Sequence, residues 1–254
     1  MILQRLNLDN SWWVEMSNTR LLIDPWLEGE EVDYFRWFNT QRHCTPPLGY
    51  ADLPAFDAVL ITQKYADHFH EQTLLMLNPA CILAPLSLQA RIVALFPEAD
   101  VRSFADDSRT HTIGAMSIAQ LPTRRRVDPI YDAFVLSDSE ECLMVANHGF
   151  ELDDEHRAQL GAKWSCDVLL SPFNRYSLPR MLGGVVTPGL TGLAALVEQT
   201  DPRVVVRTHD ELKHATGLVP RLARIEVFDP HEVDAYPWLA HRFLPVLDYT
   251  AVTP

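Results

Sequence analysis

Hydrophobic and polar positions change rhythm along the chain, and each change predicts a different kind of element. Residues 2–8, 12–16 and 20–23 are short stretches of strand character, separated by the turn-like Asp9-Asn10-Ser11 and Ser17-Asn18-Thr19. Stretches this short, joined by turns this tight, predict an antiparallel meander that stops at Asp24-Pro25, where proline cannot continue a ladder. Residues 58–61 form an unbroken apolar run of the length and branching of a buried strand. Helical spacing follows at 71–77 and 86–96, with strands at 81–84 and 101–104, an alternation that predicts parallel pairing. Strands return at 110–113, 116–121, 131–137 and 142–146. A second alternating stretch then has helices at 154–161, 189–200 and 218–223 and strands at 167–170, 203–207 and 225–228. Strands, then β/α, then strands, then β/α predicts two similar halves that pack sheet on sheet with helices outward. The expected fold class is α/β, a four-layer αββα sandwich formed by a single domain over residues 1–254, without repeat or linker.

Residues 28–54 depart from this rhythm. Asp33-Tyr34-Phe35-Arg36-Trp37-Phe38 is densely aromatic, and Cys44-Thr45-Pro46-Pro47-Leu48-Gly49 is rich in breakers. An excursion of this length between core strands predicts a lid or insertion that carries Tyr34, Phe35, Trp37 and Phe38 to a pocket. Rings that close one end of the core, or that form a homo-oligomer contact, are the alternative.

Composition narrows the function classes. Hydrophobic residues make up 47% of the 254 and charged residues 22%, a globular balance. No apolar run has the length of a membrane span, and the first residues lack the pattern of an export signal. Cys44, Cys81, Cys142 and Cys166 form no C-x-x-C pair, so reduced thiols in a cytoplasmic protein are expected. The net charge of −13 has the wrong sign for a nucleic-acid or anionic-membrane binder. Arg124-Arg125-Arg126 is the one dense basic patch, suited to holding an anionic group of a small-molecule substrate or ligand.

Candidate chemistry gathers at strand ends. The strand at 58–61 opens into Gln63-Lys64-Tyr65-Ala66-Asp67-His68-Phe69-His70, ahead of a helix. Asn147-His148, Thr208-His209-Asp210 and the 121–126 segment close three other strands, and such ends converge on one edge of a sandwich. Asp24 closes the third strand, either as a carboxylate behind the site or as a turn former. Asp67, His68, His209 and His148 form a nitrogen and oxygen set suited to zinc, iron or manganese. No G-x-S-x-G elbow, Walker A loop or dinucleotide fingerprint is present.

On these motifs the chain resembles the metallo-β-lactamase superfamily, in particular its lactonase-like hydrolases. Ser11-Trp12-Trp13-Val14-Glu15-Met16 with Arg20-Leu21-Leu22-Ile23-Asp24-Pro25-Trp26 is similar to that family's opening hairpin. Residues 57–62 resemble the strand before its H-x-H-x-D-H motif, and residues 204–209 its last ligand strand. Laid on that motif, the chain has Gln63 and Tyr65 where the first-site histidines stand. Arginines replace a third histidine, and His148 stands near the usual bridging aspartate. The resemblance implies a hydrolase in which Asp67, His68 and His209 hold one divalent metal, with His148 as a fourth ligand. Zinc is the first expectation, with manganese or iron as alternatives, and a two-metal centre is not expected. Tyr65 or His148 would donate to a developing oxyanion, and Asp67 belongs to the catalytic set as a ligand. Gln63, Tyr65, Arg124, Arg125, His70 and Asp210 would meet substrate, with His70 or Asp210 as proton acceptor. The alternative is a derived protein that keeps the scaffold without metal or catalysis and binds a small ligand.

Overall fold

The computed structural model describes residues 1–105, 109–123 and 131–254. Its first half runs β1 (Ile2–Arg5), β2 (Trp12–Met16), β3 (Thr19–Ile23), β4 (Glu31–Asp33), β5 (Asn39–Arg42), β6 (Ala58–Leu60), α1 (Glu71–Leu77), β7 (Cys81–Pro85), α2 (Gln89–Leu95) and β8 (Asp100–Phe104). The second half begins with β9 (Thr110–Ile113), β10 (Met116–Leu121), β11 (Ala133–Ser137), β12 (Cys142–Val145), α3 (Asp154–Lys163), β13 (Val168–Ser171), β14 (Arg175–Ser177) and β15 (Val185–Pro188). It ends with α4 (Gly189–Thr200), β16 (Val204–Arg207), β17 (His214–Gly217), α5 (Val219–Leu222), β18 (Arg224–Glu226) and α6 (Pro237–Ala240).

Two six-stranded sheets form the centre, in the orders β1-β2-β3-β6-β7-β8 and β16-β13-β12-β11-β10-β9. Strands joined by tight turns pair antiparallel, as β1, β2 and β3 do. Strands β3, β6, β7 and β8 pair parallel, as do β12, β13 and β16. Parallel neighbours need a crossover, which α1 and α2 supply in the first sheet.

The side-chain period of two sorts each strand between faces. Leu21, Ile23, Ala58 and Leu60 point between the sheets, against Phe134, Leu136, Val168, Leu170 and Val206. Their neighbours Leu22, Val59 and Ile61 point outward, beneath Leu74 of α1 and Ile92 of α2. On the far side Val135, Met144, Leu169 and Val205 meet Leu193 and Leu196 of α4. Central strands are therefore dry on both faces, which is why residues 58–61 read as a continuous apolar run. The result is the αββα sandwich expected. Among the described residues no helix is long and apolar enough to cross a membrane.

Two features differ from the hydrophobic pattern. Residues 28–54 contain β4 and β5, which join β17 in a three-stranded sheet at the rim. A second rim sheet has the order β15-β14-β18. Rim strands such as Asn39-Thr40-Gln41-Arg42 and His214-Ala215-Thr216-Gly217 bury little apolar surface, so no alternation marks them. The first strand also stops at Arg5, short of Leu8. Beyond it Asn7 closes a turn, its Oδ1 accepting from the amides of Asp9 and Ser11 at 2.9 Å each. That turn carries Asp9 into the site.

Candidate metal centre and its cavity

The site lies where the parallel strands end. Asp24 follows β3 directly, in a left-handed conformation with φ 46°. Its carboxylate accepts from the Thr62 amide at 2.7 Å, from the Thr62 hydroxyl at 2.5 Å and from the Asn147 amide nitrogen at 2.9 Å. It also accepts from Nδ1 of His68 at 2.6 Å. Of the two readings of Asp24, the structure selects the carboxylate behind the site. With Nδ1–H committed, Nε2 of His68 is buried without a hydrogen-bond partner and lies 3.8 Å from Oδ2 of Asp67.

His209 repeats this arrangement from the other sheet. It follows β16 with φ 55°, a strained conformation for a non-glycine residue, held by its own amide donating to the Asp9 carbonyl at 2.8 Å. Nδ1 lies 3.2 Å from Oδ2 of Asp9, and Nε2 lies 3.8 Å from Oδ2 of Asp67. Asp67 is anchored through its carbonyl, which accepts from the Asn10 side chain at 2.8 Å. Two imidazoles thus turn their Nε2 atoms toward one carboxylate oxygen, each fixed from behind by a buried aspartate. Such outer carboxylates set the tautomer and orientation of a metal-binding histidine.

Two residues of this cluster escape a sequence reading. Asp9 sits in what reads as an ordinary polar turn, and Lys213 is a lone lysine four positions past His209. The Lys213 ammonium is buried 2.5 Å from Oδ2 of Asp9 and 3.7 Å from Oδ2 of Asp67. Burial alone would discharge it, but the two carboxylates outweigh burial and raise its pKa. Asp9 is held far below the usual carboxylate range: burial opposes this, and Lys213 and His209 overcome it. Asp67 is lowered against its own burial by His68, Lys213 and His209. His68 is raised despite burial, because Asp67 and Asp24 favour its charged form. His148 goes the other way. Burial, followed by the nearby His209, His68 and Lys213, depresses it far below the usual imidazole value and keeps it neutral.

His148 completes a triangle of imidazoles, its ring centre 4.7 Å from that of His209 and 5.5 Å from that of His68. Donor atoms of His68, His148 and His209 lie within 4.8 Å of one another, as do those of Asp9, Asp67 and His209. The amide nitrogen of Gln63 sits 2.7 Å from Nε2 of His148, and Nδ1 of His148 is buried without a partner. The Tyr65 hydroxyl is 3.4 Å from that of Tyr34. Gln63, Tyr65, Asp67, His148 and His209 all line one cavity of about 1030 Å³, with His68 buried beneath it.

Two expected substrate residues lie elsewhere. His70 caps α1, its Nδ1 accepting from the Thr73 amide at 3.2 Å, and it does not line the cavity. Asp210 accepts from the amides of Phe173 and Asn174 at 2.9 Å each, tying two loops together, and is likewise outside the cavity lining. Neither is placed as a proton acceptor for a cavity ligand. Arg124 and Arg125 lie outside the described residues.

Residues 8–209 match the sequence family described as a beta-lactamase superfamily domain. The chain belongs to the metallo-β-lactamase superfamily. Solved structures with this fold include an isothiocyanate hydrolase from Delia radicum gut bacteria. It is 14% identical with TM-score 0.72, the match covering 100% of this chain and 99% of that one. A possible metal-dependent hydrolase from Veillonella parvula is 14% identical with TM-score 0.70, covering 100% and 99%. A metallo hydrolase from the archaeon Ignicoccus hospitalis is 15% identical with TM-score 0.67, covering 99% and 98%. At these identities the likeness concerns the fold. The comparison with curated proteins finds no match.

Metallo-β-lactamase superfamily members generally hold divalent metals, and the donors here fit one such ion. Ligand atoms about 2.0–2.2 Å from an ion lie roughly 3–4 Å from one another. The separations of 3.8 Å from Asp67 to each Nε2 are of that size. Other groups occupy the positions around these donors. Gln63 is engaged with His148, a phenol stands at position 65, and the Lys213 ammonium fills the Asp9–Asp67–His209 group.

Proposed function

We propose that the protein is a hydrolase that uses one divalent metal ion held by Asp67, His68 and His209, with His148 as a fourth donor. The observation that carries this reading is the pair of Nε2 atoms, each 3.8 Å from Oδ2 of Asp67 and each fixed from behind by Asp24 or Asp9. A divalent ion held there, zinc before manganese or iron, would supply Lewis acidity and a lowered pKa for water near neutral pH.

The chain's own residues do the rest. Asp24 and Asp9 keep the protons on Nδ1, so that each Nε2 presents its lone pair. A proton on His68 and an ion compete for the same lone pair, and the raised affinity of His68 for a proton sets that competition. Lys213 balances charge between Asp9 and Asp67, which offsets the cost of burying two carboxylates so close together. His148 is kept neutral and its ring is held by Gln63, so it joins the ion as a fourth donor only where that contact is given up. Tyr65 lies on the cavity wall, where a phenol can donate to an oxyanion that develops on substrate. The partner in this reading is a small molecule, not nucleic acid or membrane, in keeping with the net charge of −13. We place the protein in the cytoplasm on its four unpaired cysteines.

Elemental analysis of protein expressed with added zinc, manganese and iron tests the reading. About one equivalent is expected, lost in Asp67→Ala and in His209→Ala. A second reading, a metal-free binding protein, is favoured by the Lys213 ammonium already seated beside Asp67. Metal content near zero in the unaltered protein would select it.

A further inference from the structure

The cavity changes character from floor to mouth. Its floor is the polar cluster of Asp67, His148, His209 and Lys213, and its walls come from the two rim sheets. One wall is the aromatic arch between β4 and β5, with Tyr34, Phe35, Trp37 and Phe38. The facing wall carries Leu178, Met181, Leu182, Val186 and Ile225.

Five of these side chains are unusually open for their type: Tyr34 is 67% exposed, Phe35 60%, Trp37 65%, Met181 90% and Ile225 47%. Isolated exposed apolar side chains need no explanation, but a set that converges on one cavity does. The arch is not loose. The carbonyl of Phe38 accepts from the amides of Leu218 and Val219 at 2.9 Å each. That approach requires Gly217, where a Cβ would stand 2.6 Å from the Phe38 oxygen. Tyr34 is held with φ 60°, and the rings of Phe35 and Trp37 stack at 5.7 Å and 5°. Strain and apolar exposure fixed in place around a cavity are properties of a preorganised binding surface.

Charge separates the ligand classes. Lys213, the cation on the floor, is committed to Asp9 and Asp67. Asp33 adds a second carboxyl to the wall, and Arg180 stands exposed at the mouth. The described floor therefore offers an anion no uncommitted cation beside the reacting position. A volume of about 1030 Å³ is also at the upper end for small-molecule sites, far larger than a minimal substrate needs.

We propose that the cavity takes an uncharged acyl compound with a bulky alkyl or aromatic group, its carbonyl on the floor and its apolar part between the arch and the Leu178–Ile225 wall. The inference rests on the hydrolase reading and names its substrate class. The arginine run from which an anionic ligand is expected lies outside the described residues, and the apolar contact is argued from the cavity walls alone.

Calorimetric titration with carbonyl compounds that cannot be hydrolysed tests it. Acetophenone, octanophenone and phenyl phosphate serve as probes on metal-supplemented protein. Octanophenone should bind at least tenfold more tightly than acetophenone, and phenyl phosphate more weakly than octanophenone. Trp37→Ala and Met181→Ala should each weaken octanophenone at least fivefold with metal content unchanged. Affinity independent of chain length, or tightest for phenyl phosphate, overturns the proposal. So does a wild-type protein that binds no octanophenone but self-associates through Trp37, which would make the arch a subunit contact. Metal content of the wild type, measured beside the titration, separates the two claims. Chain-length preference without metal in the wild type would retain the ligand class and remove the hydrolase reading; metal without chain-length preference would do the reverse.

Discussion

His209 lines one cavity with Gln63 and Tyr65, and His68 lies buried beneath it, but the two imidazoles and the Gln63–Tyr65 pair are held in different ways. Behind His68 stands Asp24, itself fixed by Thr62 and Asn147; behind His209 stands Asp9, fixed by the Asn7 turn and Lys213. Each of those histidines has a carboxylate acceptor on its far nitrogen and turns its near one toward Oδ2 of Asp67. Gln63 instead spends its amide nitrogen on His148, leaving its Oε1 buried without a partner, and Tyr65 meets another phenol. A metal site is thus more than a list of ligand types. His68 and His209, with carboxylates behind them, face one oxygen of Asp67, while Gln63 and Tyr65 form part of the cavity wall.

That contrast can be attacked from either side. Asp67→Ala removes the oxygen that both Nε2 atoms face and should lower metal affinity by at least 100-fold, read by competition with a chromogenic chelator. Lys213→Met breaks a buried ion pair with Asp9 and should destabilise the metal-free protein by about 3–5 kcal/mol, measured by urea unfolding in the presence of chelator. The same variant vacates the Asp9–Asp67–His209 group, so its metal content should not fall below that of the unaltered protein. Asp24→Asn and Asp9→Asn keep size but replace the charged acceptor, and each should cost roughly 10–100-fold in metal affinity.

Glu31 offers a pH test of the acidic cluster it forms with Asp33 and Asp67. Both of its carboxylate oxygens are buried without partners, and burial, then Asp33 and Asp67, push its pKa up to about 9. A carboxyl raised in the folded state favours its protonated form there. Its contribution is therefore complete below about 4.5 and is lost as pH rises toward about 9. Unfolding titrations should show stability falling across that window, and Glu31→Gln should flatten the fall by about 1–3 kcal/mol. The smallest expected effect is Gln63→His. One restored imidazole faces a phenol at position 65, so metal content should stay near one equivalent; a rise to two would erase the contrast between the halves.

The core strands were legible because they are dry on both faces: residues 58–61 announce themselves without any partner in view. The convergence of Asp67, His68 and His209 was legible for a similar reason, as ligand-type residues in the loops that follow such strands. Asp9 and Lys213 were not. Their meaning depends on a contact about 200 residues apart along the chain, which no local pattern encodes. His70 and Asp210 misled in the opposite direction. Each follows a strand as a ligand would, yet one caps a helix and the other pins backbone amides of a neighbouring loop. The rim strands β4, β5 and β17 escaped because strand periodicity is a signal of burial, and their side chains are largely polar.

Metal stoichiometry of the unaltered protein tests the account most directly. Protein expressed with added zinc, manganese and iron, freed of loosely bound ions and measured by elemental analysis beside Asp67→Ala, should carry about one equivalent that the variant lacks. Two equivalents, or none in either protein, would contradict it.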